Sequence, residues 1–285
     1  MRPNARPARH DSRLMSWRRH AALLLIVGAL AGCRTGRNYE SPAGPRYAGG
    51  PRVGHAAKAA DAATLRIVSF NIEFGEHVDS AIGLLTSDPA LRAADVILLQ
   101  EMDGEGTERV ATALGLWYVY FPAIYHLRTR REFGNAVLSR WPIVEDGKIL
   151  LPHTARFSRT QRTATAATLR VGESLVRVYS THLSTMTDVA PAGRRDQLRT
   201  ILSDAARYPR VVIGGDMNDA AVGDVAREMG YAWPTEHGPD TSRLGRWDHI
   251  FLKGLASPRS AAAGTVLDVR RTSDHRPVWA VAVLR

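Results

Sequence analysis

The sequence predicts an α/β fold of the α+β kind: a four-layer sandwich of two packed mixed β-sheets with helices on the outer faces. Three observations predict it. Short β-branched and aromatic runs recur along residues 63–285, while few stretches keep a helical period. Several strands come as hairpin pairs across turn residues, which a purely parallel doubly wound sheet would lack. Val211, Val212 and Ile213 follow one another without a polar residue, the mark of a strand covered on both faces.

Taken in order, residues 65–71 alternate and form a first strand. Residues 78–86 place Ile82 and Leu85 at helical spacing, and Asp88-Pro89 stops that helix. Residues 94–100 form a second buried strand with Glu101 at its end. A short helix over 107–114 precedes an aromatic strand over 117–121, closed by Pro122. Residues 126–133 read as a basic loop, and Gly134-Asn135 opens the next strand, 136–139. A strand over 143–150 and a basic loop over 154–162 follow. Residues 163–171 and 175–183 pair as a hairpin, and Val176, Val178, Ser180 and His182 share one face. Residues 194–207 form a helix whose stripe of Leu198, Ile201, Leu202 and Ala205 turns inward.

Strand 211–217 then runs into Gly214 and Gly215, which clear side chains from a close approach. Alternation sends Asp216 and Asn218 to the same side of its mouth. A short helix near 224–229 and strands over 247–252, 265–269 and 278–283 complete the chain.

The N-terminus reads as an address. Arg18 and Arg19 precede an apolar run of ten residues, 21–30, too short to span a bilayer. The run ends in Leu30-Ala31-Gly32-Cys33, which resembles the bacterial lipoprotein cleavage box. The resemblance implies a signal peptide over 1–32, lipidation of Cys33, and a place in the cell envelope on the outer membrane or periplasmic face. Residues 33–62, rich in Gly, Pro and Ala, read as a flexible tether, leaving 63–285 as the folded domain. Cys33 is the only cysteine, so an internal disulfide framework is excluded. The formal charge of +10 falls to +5 without residues 1–32, which carry six Arg and one Asp. That modest excess favours anionic partners without choosing among nucleic acid, lipid and phosphate esters.

Polar residues stand where buried apolar runs end: Asn71, Glu101, His182, Asp216 with Asn218, and Asp274 with His275. Carboxylates gathered together repel one another unless a cation neutralises them. Oxygen and amide donors without cysteine point to a hard cation, Mg²⁺ or Mn²⁺. Two histidines supply an acid and a base near neutral pH.

The motifs SFNIE, LLQEMD, GNAVLSRWPI, STHL, GGDMN, WDHIF and SDHRPV, in this order, resemble the endonuclease/exonuclease/phosphatase superfamily, the deoxyribonuclease I-like fold. The resemblance spans residue 65 to the C-terminus. It implies metal binding by Glu101, with Asn71 in the same site and Asp274 supporting it. It implies that Asp216 and Asn218 bind the phosphate and place the attacking water or the leaving group. His275 becomes the general base or the imidazole that polarises the phosphate, oriented by Asp248. Asn71, Asn218 and His182 hold the non-bridging oxygens of the phosphate, and Arg162 stands near the scissile phosphate. His249, beside Asp248, points the other way and is structural.

The expected activity is hydrolysis of a phosphoester, first of all a phosphodiester, by a monomer. A nuclease, a sphingomyelinase-like lipid-headgroup phosphodiesterase and a phosphomonoesterase compete as substrate readings. A phosphate-binding lipoprotein with a dead site is the non-enzymatic alternative.

Overall fold

The structure is a computed structural model and describes residues 36–51, 63–256 and 262–284. Its strands are β1 (Gly36–Asn38), β2 (Tyr47–Gly49), β3 (Thr64–Asn71), β4 (Val96–Met102), β5 (Trp117–His126), β6 (Arg131–Ser139) and β7 (Ile143–Leu150). They continue as β8 (Thr163–Val171), β9 (Ser174–His182), β10 (Val211–Asp216), β11 (Asp248–Lys253), β12 (Ala263–Thr265) and β13 (Val278–Val283). The helices are α1 (Val78–Ser87), α2 (Gly104–Leu114), α3 (Pro191–Ala205) and α4 (Gly223–Glu228).

Two mixed sheets form. One has the order β1-β5-β6-β4-β3-β13-β12, with β2 also on β5; the other runs β11-β10-β9-β8-β7. Near the middle of the first, β3 and β4 are parallel, and in the second β9 and β10 are parallel. Their inner faces meet in one core that includes Leu98, Val137, Val178, Val212 and Ile250. Fully burying side chains of this size contributes about 1.5–3 kcal/mol each. Leu84, Leu85 and Val110 of α1 and α2 cover the outer face of the first sheet, packing with Phe70 and Leu99. The α3 stripe Leu198, Ile201, Leu202 and Ala205 covers the other sheet against Val211 and Ile213. Four layers result, as the hydrophobic pattern requires.

Local chemistry sets the element ends. Asp88 is extended, with ψ 129, before Pro89 and closes α1. Asp103 caps α2 by accepting from Gly106 N at 2.7 Å, and Gly115 leaves the helix left-handed at φ 65. Pro191 starts α3, where its missing N–H costs nothing. Gly215 lies against β9 so closely that a methyl group would overlap the Thr181 carbonyl. The close approach read from the glycine pair is therefore backbone to backbone.

Three expectations are corrected. Residues 36–51 are not tether: β1 and β2 pair with β5. Lys148 Nζ donates to the Tyr39 and Gly44 carbonyls at 2.9 Å each, and Tyr47 donates to Glu132 at 2.9 Å. Cys33, the signal segment and residues 52–62 lie outside the described residues. Pro122 does not close its strand; β5 runs to His126 because a register shift between Pro122 and Ile124 absorbs the missing donor. The basic loop shrinks to a turn, since Arg131 to Phe133 pair with β5 and Arg131 Nε bonds Asp103 Oδ2 at 2.6 Å. Among the described residues no helix is long and apolar enough to cross a membrane.

Candidate active site

The topology explains why distant polar residues meet. Asn71 ends β3 and Glu101 lies near the end of its parallel neighbour β4. His182 ends β9 and pairs in register with Asp216, which ends β10. Asp248 begins antiparallel β11 opposite Asp216, and His275 precedes antiparallel β13 beside β3. All six therefore reach one edge of the sandwich, where the two sheets face each other. Beneath them Gln100 Nε2 donates to Ser180 Oγ at 3.0 Å, and Ser180 donates to the Leu99 carbonyl, tying one sheet to the other.

Asp216 is the hub. Its Oδ2 accepts from Asn71 Nδ2 at 3.1 Å and lies 3.3 Å from His182 Nε2 and 3.7 Å from His275 Nε2. Its Oδ1 accepts from Asn218 N at 2.9 Å. Burial and the neighbouring Asp248 charge push this carboxyl up to about 7, against the pull of His275.

Glu101 sits within β4, but not as an ordinary strand residue. Its φ is 59, and the register slips between Leu99 and Met102. This bulge turns the carboxylate toward the mouth, and a left-handed glutamate costs about 1–3 kcal/mol. Oε1 accepts from Asn71 Nδ2 at 3.1 Å and Oε2 from Phe74 N at 3.1 Å. Burial raises its proton affinity, while the Asn71 bond and the Arg162 charge oppose that.

Asn71 bridges the two carboxylates as a donor. Its Oδ1 is taken by Glu73 N at 3.1 Å, which fixes the orientation of the amide. Asn218 has left the strand at φ 50, so period-two alternation does not place it beside Asp216. Its Nδ2 instead pins the end of β9 at the Leu183 carbonyl, 3.1 Å away.

His275 Nδ1 and Asp248 Oδ2 are 2.8 Å apart and buried. Burial pulls this imidazole down, but the Asp248 charge, the Asp248 hydrogen bond and Asp216 outweigh it and push it up to about 10. His182 goes the other way: burial, then Arg162 and His275, hold it well below its ordinary value. That direction favours the neutral imidazole.

Arg162 is half-buried, and among the described residues its buried Nη1 has no hydrogen-bond partner. Its guanidinium lies over the Phe133 ring at 5.4 Å, and burial draws its pKa down against the pull of Glu101 and Asp216. A guanidinium with an unpartnered buried N–H group is suited to an oxyanion. Asp274 is exposed at the rim, where its backbone N–H donates to Glu73 Oε2 at 3.1 Å. His249 is a structural residue, as expected. Its Nδ1 accepts from Trp233 Nε1 at 3.1 Å, and its Nε2 faces the Arg246 carbonyl at 3.0 Å.

The residues fit a hard divalent cation. Glu101, Asp216 and Asp248 crowd one mouth, Asp216 is pushed up by the other two, and buried Asp248 Oδ1 lacks a partner among the described residues. Single ligand atoms of Asp216, Asp248 and His275 also lie within 4.8 Å of one another and could hold a metal. Within that trio His275 Nδ1 lies 2.8 Å from Asp248 Oδ2, and Glu101 brings a further carboxylate to the same mouth.

Sequence reasoning missed the supports. Thr241 Oγ1 accepts from both Trp247 N and Asp248 N, at 3.0 and 3.1 Å, fixing the start of β11. Ser273 Oγ donates to the Asn71 carbonyl at 2.7 Å and accepts from His275 N at 3.0 Å. Thr241 lies in a loop without a motif, whereas Ser273 stood inside the SDHRPV motif.

A family model described as "Endonuclease/Exonuclease/phosphatase family" matches residues 68–275. No curated protein matches the chain. Solved structures share the fold. An endonuclease/exonuclease/phosphatase from Beutenbergia cavernae DSM 12333 is 20% identical, with a TM-score of 0.62 over 78% of this chain and 72% of that one. D. rerio TDP2 complexed with single strand DNA product is 21% identical, with a TM-score of 0.59 over 78% and 99%. A mannosyl-6-phosphatase from Bacteroides thetaiotaomicron VPI-5482 is 15% identical, with a TM-score of 0.58 over 77% and 100%.

Proposed function

Since the chain belongs to the endonuclease/exonuclease/phosphatase family, we propose that it hydrolyses phosphoesters, phosphodiesters first of all, with a divalent cation. One observation carries the reading: Asp216 Oδ2 lies within 3.1 to 3.7 Å of Asn71, His182 and His275, three polar groups delivered by three other segments. A structural carboxylate needs one partner; four polar residues converging at a mouth make a reaction centre.

Glu101 would hold Mg²⁺ or Mn²⁺, with Asn71 orienting its carboxylate and Asp274 at the rim. When bound, the ion supplies positive charge that polarises the phosphoryl group, steadies the leaving oxygen and lowers the proton affinity of His275. Arg162 and neutral His182 bind non-bridging oxygens of the phosphate. Asp216, with Asn218 pinning its Oδ1, positions the attacking water. His275 presents Nε2 to that centre, takes the proton of the water in its neutral form and polarises the phosphate as an imidazolium. Asp248 fixes its orientation from behind at Nδ1. The same proposal includes a lipid anchor on Cys33, a cell-envelope location and a monomer.

The test is a substrate panel for residues 34–285: bis-p-nitrophenyl phosphate, single- and double-stranded DNA, RNA, sphingomyelin and sugar and inositol phosphates, with Mg²⁺ or Mn²⁺ and with EDTA. Turnover that EDTA abolishes and His275→Ala reduces is expected. A silent panel rejects the proposal in favour of a phosphate-binding protein.

A further inference from the structure

A second cavity, of about 240 Å³, opens beside the reaction centre. One wall is apolar: Phe74, Ile124, His126 and Phe133. The Phe74 ring lies 5.2 Å from that of Phe133 and 5.7 Å from that of His126, all tilted. The lining also carries polar side chains, among them Ser158, Gln161 and Asp188. Arg162 also lines it, with its guanidinium over the Phe133 ring.

The cavity is joined to the centre by shared residues. Phe74 gives its backbone N–H to Glu101, Phe133 lies 5.9 Å from the His182 ring, and Arg162 feels the charges of Glu101 and Asp216. A group attached to a phosphate held by Arg162 would enter this cavity. Burial and Arg128 lower the proton affinity of His126, so the aromatic wall stays uncharged at neutral pH.

The mixed aromatic and polar lining discriminates among substituents. An alkyl chain would cover the rings but strand the polar side chains without partners. A sugar or polyol would satisfy the polar side chains and leave Phe74 and Phe133 against hydroxyls. A cation would meet the Arg162 guanidinium. A flat ring stacks on the aromatic wall and on a guanidinium plane, and its edge meets hydroxyl and carboxylate acceptors.

We propose that this cavity is a substrate subsite for a planar aromatic ring carried by the phosphate, so that the enzyme prefers ring-bearing phosphoesters. The inference rests on the proposed function. A nucleobase and a phenol are two sources of this one chemistry.

The experiment measures inhibition of bis-p-nitrophenyl phosphate hydrolysis by phenylphosphonate and methylphosphonate, with Mg²⁺ and residues 34–285. Both should compete, phenylphosphonate about tenfold more tightly or better. That ratio should fall at least about fivefold in Phe74→Ala and in Ile124→Ala, and recover in Phe74→Tyr. Phosphotyrosine and thymidine 5′-monophosphate identify the source: tighter competition by the first assigns a phenol ester, by the second a ring beyond a sugar. Equal inhibition by the two phosphonates, or a preference unchanged in both alanine variants, overturns the subsite while leaving hydrolysis intact. Absence of hydrolysis by the wild type removes the proposed function, and the subsite with it.

Discussion

Replacing Asp248 by Asn tests the pair at the heart of the site. The exchange keeps the shape and removes one charge. Asp248 is fully buried, and its Oδ2 lies 2.8 Å from His275 Nδ1. Holding the imidazole at about 10 rather than 6.5 corresponds to about 5 kcal/mol of preference for its charged form. Folded His275 lies above its unfolded value, so its pairing stabilises the fold fully below pH 6.5 and ceases to as pH rises through 10. In Asp248→Asn the burial that opposes the charge remains and its largest counterweight is gone. Labelled-imidazole NMR of the metal-free protein in EDTA should find His275 titrating near 10 in the wild type and below its ordinary value in the variant. With metal, kcat/KM should fall about 10²- to 10³-fold. A wild-type His275 titrating near 6.5, or a variant that titrates as the wild type does, would refute the electrostatic reasoning.

Further outcomes follow from the same structure. A chain beginning at residue 63 loses β1, β2 and the carbonyls that hold Lys148, so it should melt roughly 6–12 °C lower, for about 3 kcal/mol; equal melting in calorimetry would show the N-terminal strands to be ornamental. Buried His249 is pushed down to about 3, so the unfolded chain takes up that proton first and stability is lost as pH falls from 6.5 toward 3. Urea unfolding at pH 7 and 4.5 should show the wild type losing about 2–3 kcal/mol more than His249→Gln. Gly215→Ala should cost more than about 3 kcal/mol, read as a lower urea midpoint, because the methyl meets the Thr181 carbonyl. Mass spectrometry of host membranes should find acyl chains on Cys33, and Cys33→Ser should release the protein; an unmodified wild type rejects the anchor.

Much of the fold was legible because burial imposes periodicity. Val211 to Ile213 are covered on both faces, and Val178 and Ser180 lie between the sheets, as the alternation required. The site residues were legible as polar groups ending apolar runs, since parallel and antiparallel neighbours bring such ends to one edge. What failed was local. The bulge at Glu101 and the register shift past Pro122 depend on pairing partners that a single strand does not reveal. Residues 36–51 lack a hydrophobic period because β1 and β2 are short and held largely by polar anchors such as Lys148. Asn218 followed its left-handed backbone rather than the alternation of the strand before it. Asp274 neighbours His275 in sequence, yet stays at the surface while the imidazole turns inward.

The most direct measurement is anomalous scattering from a crystal of residues 34–285 soaked in Mn²⁺. The account predicts one peak about 2.1 Å from a Glu101 carboxylate oxygen, lost in Glu101→Gln. A peak seated instead among Asp216, Asp248 and His275, or density that ignores Glu101→Gln, would contradict it.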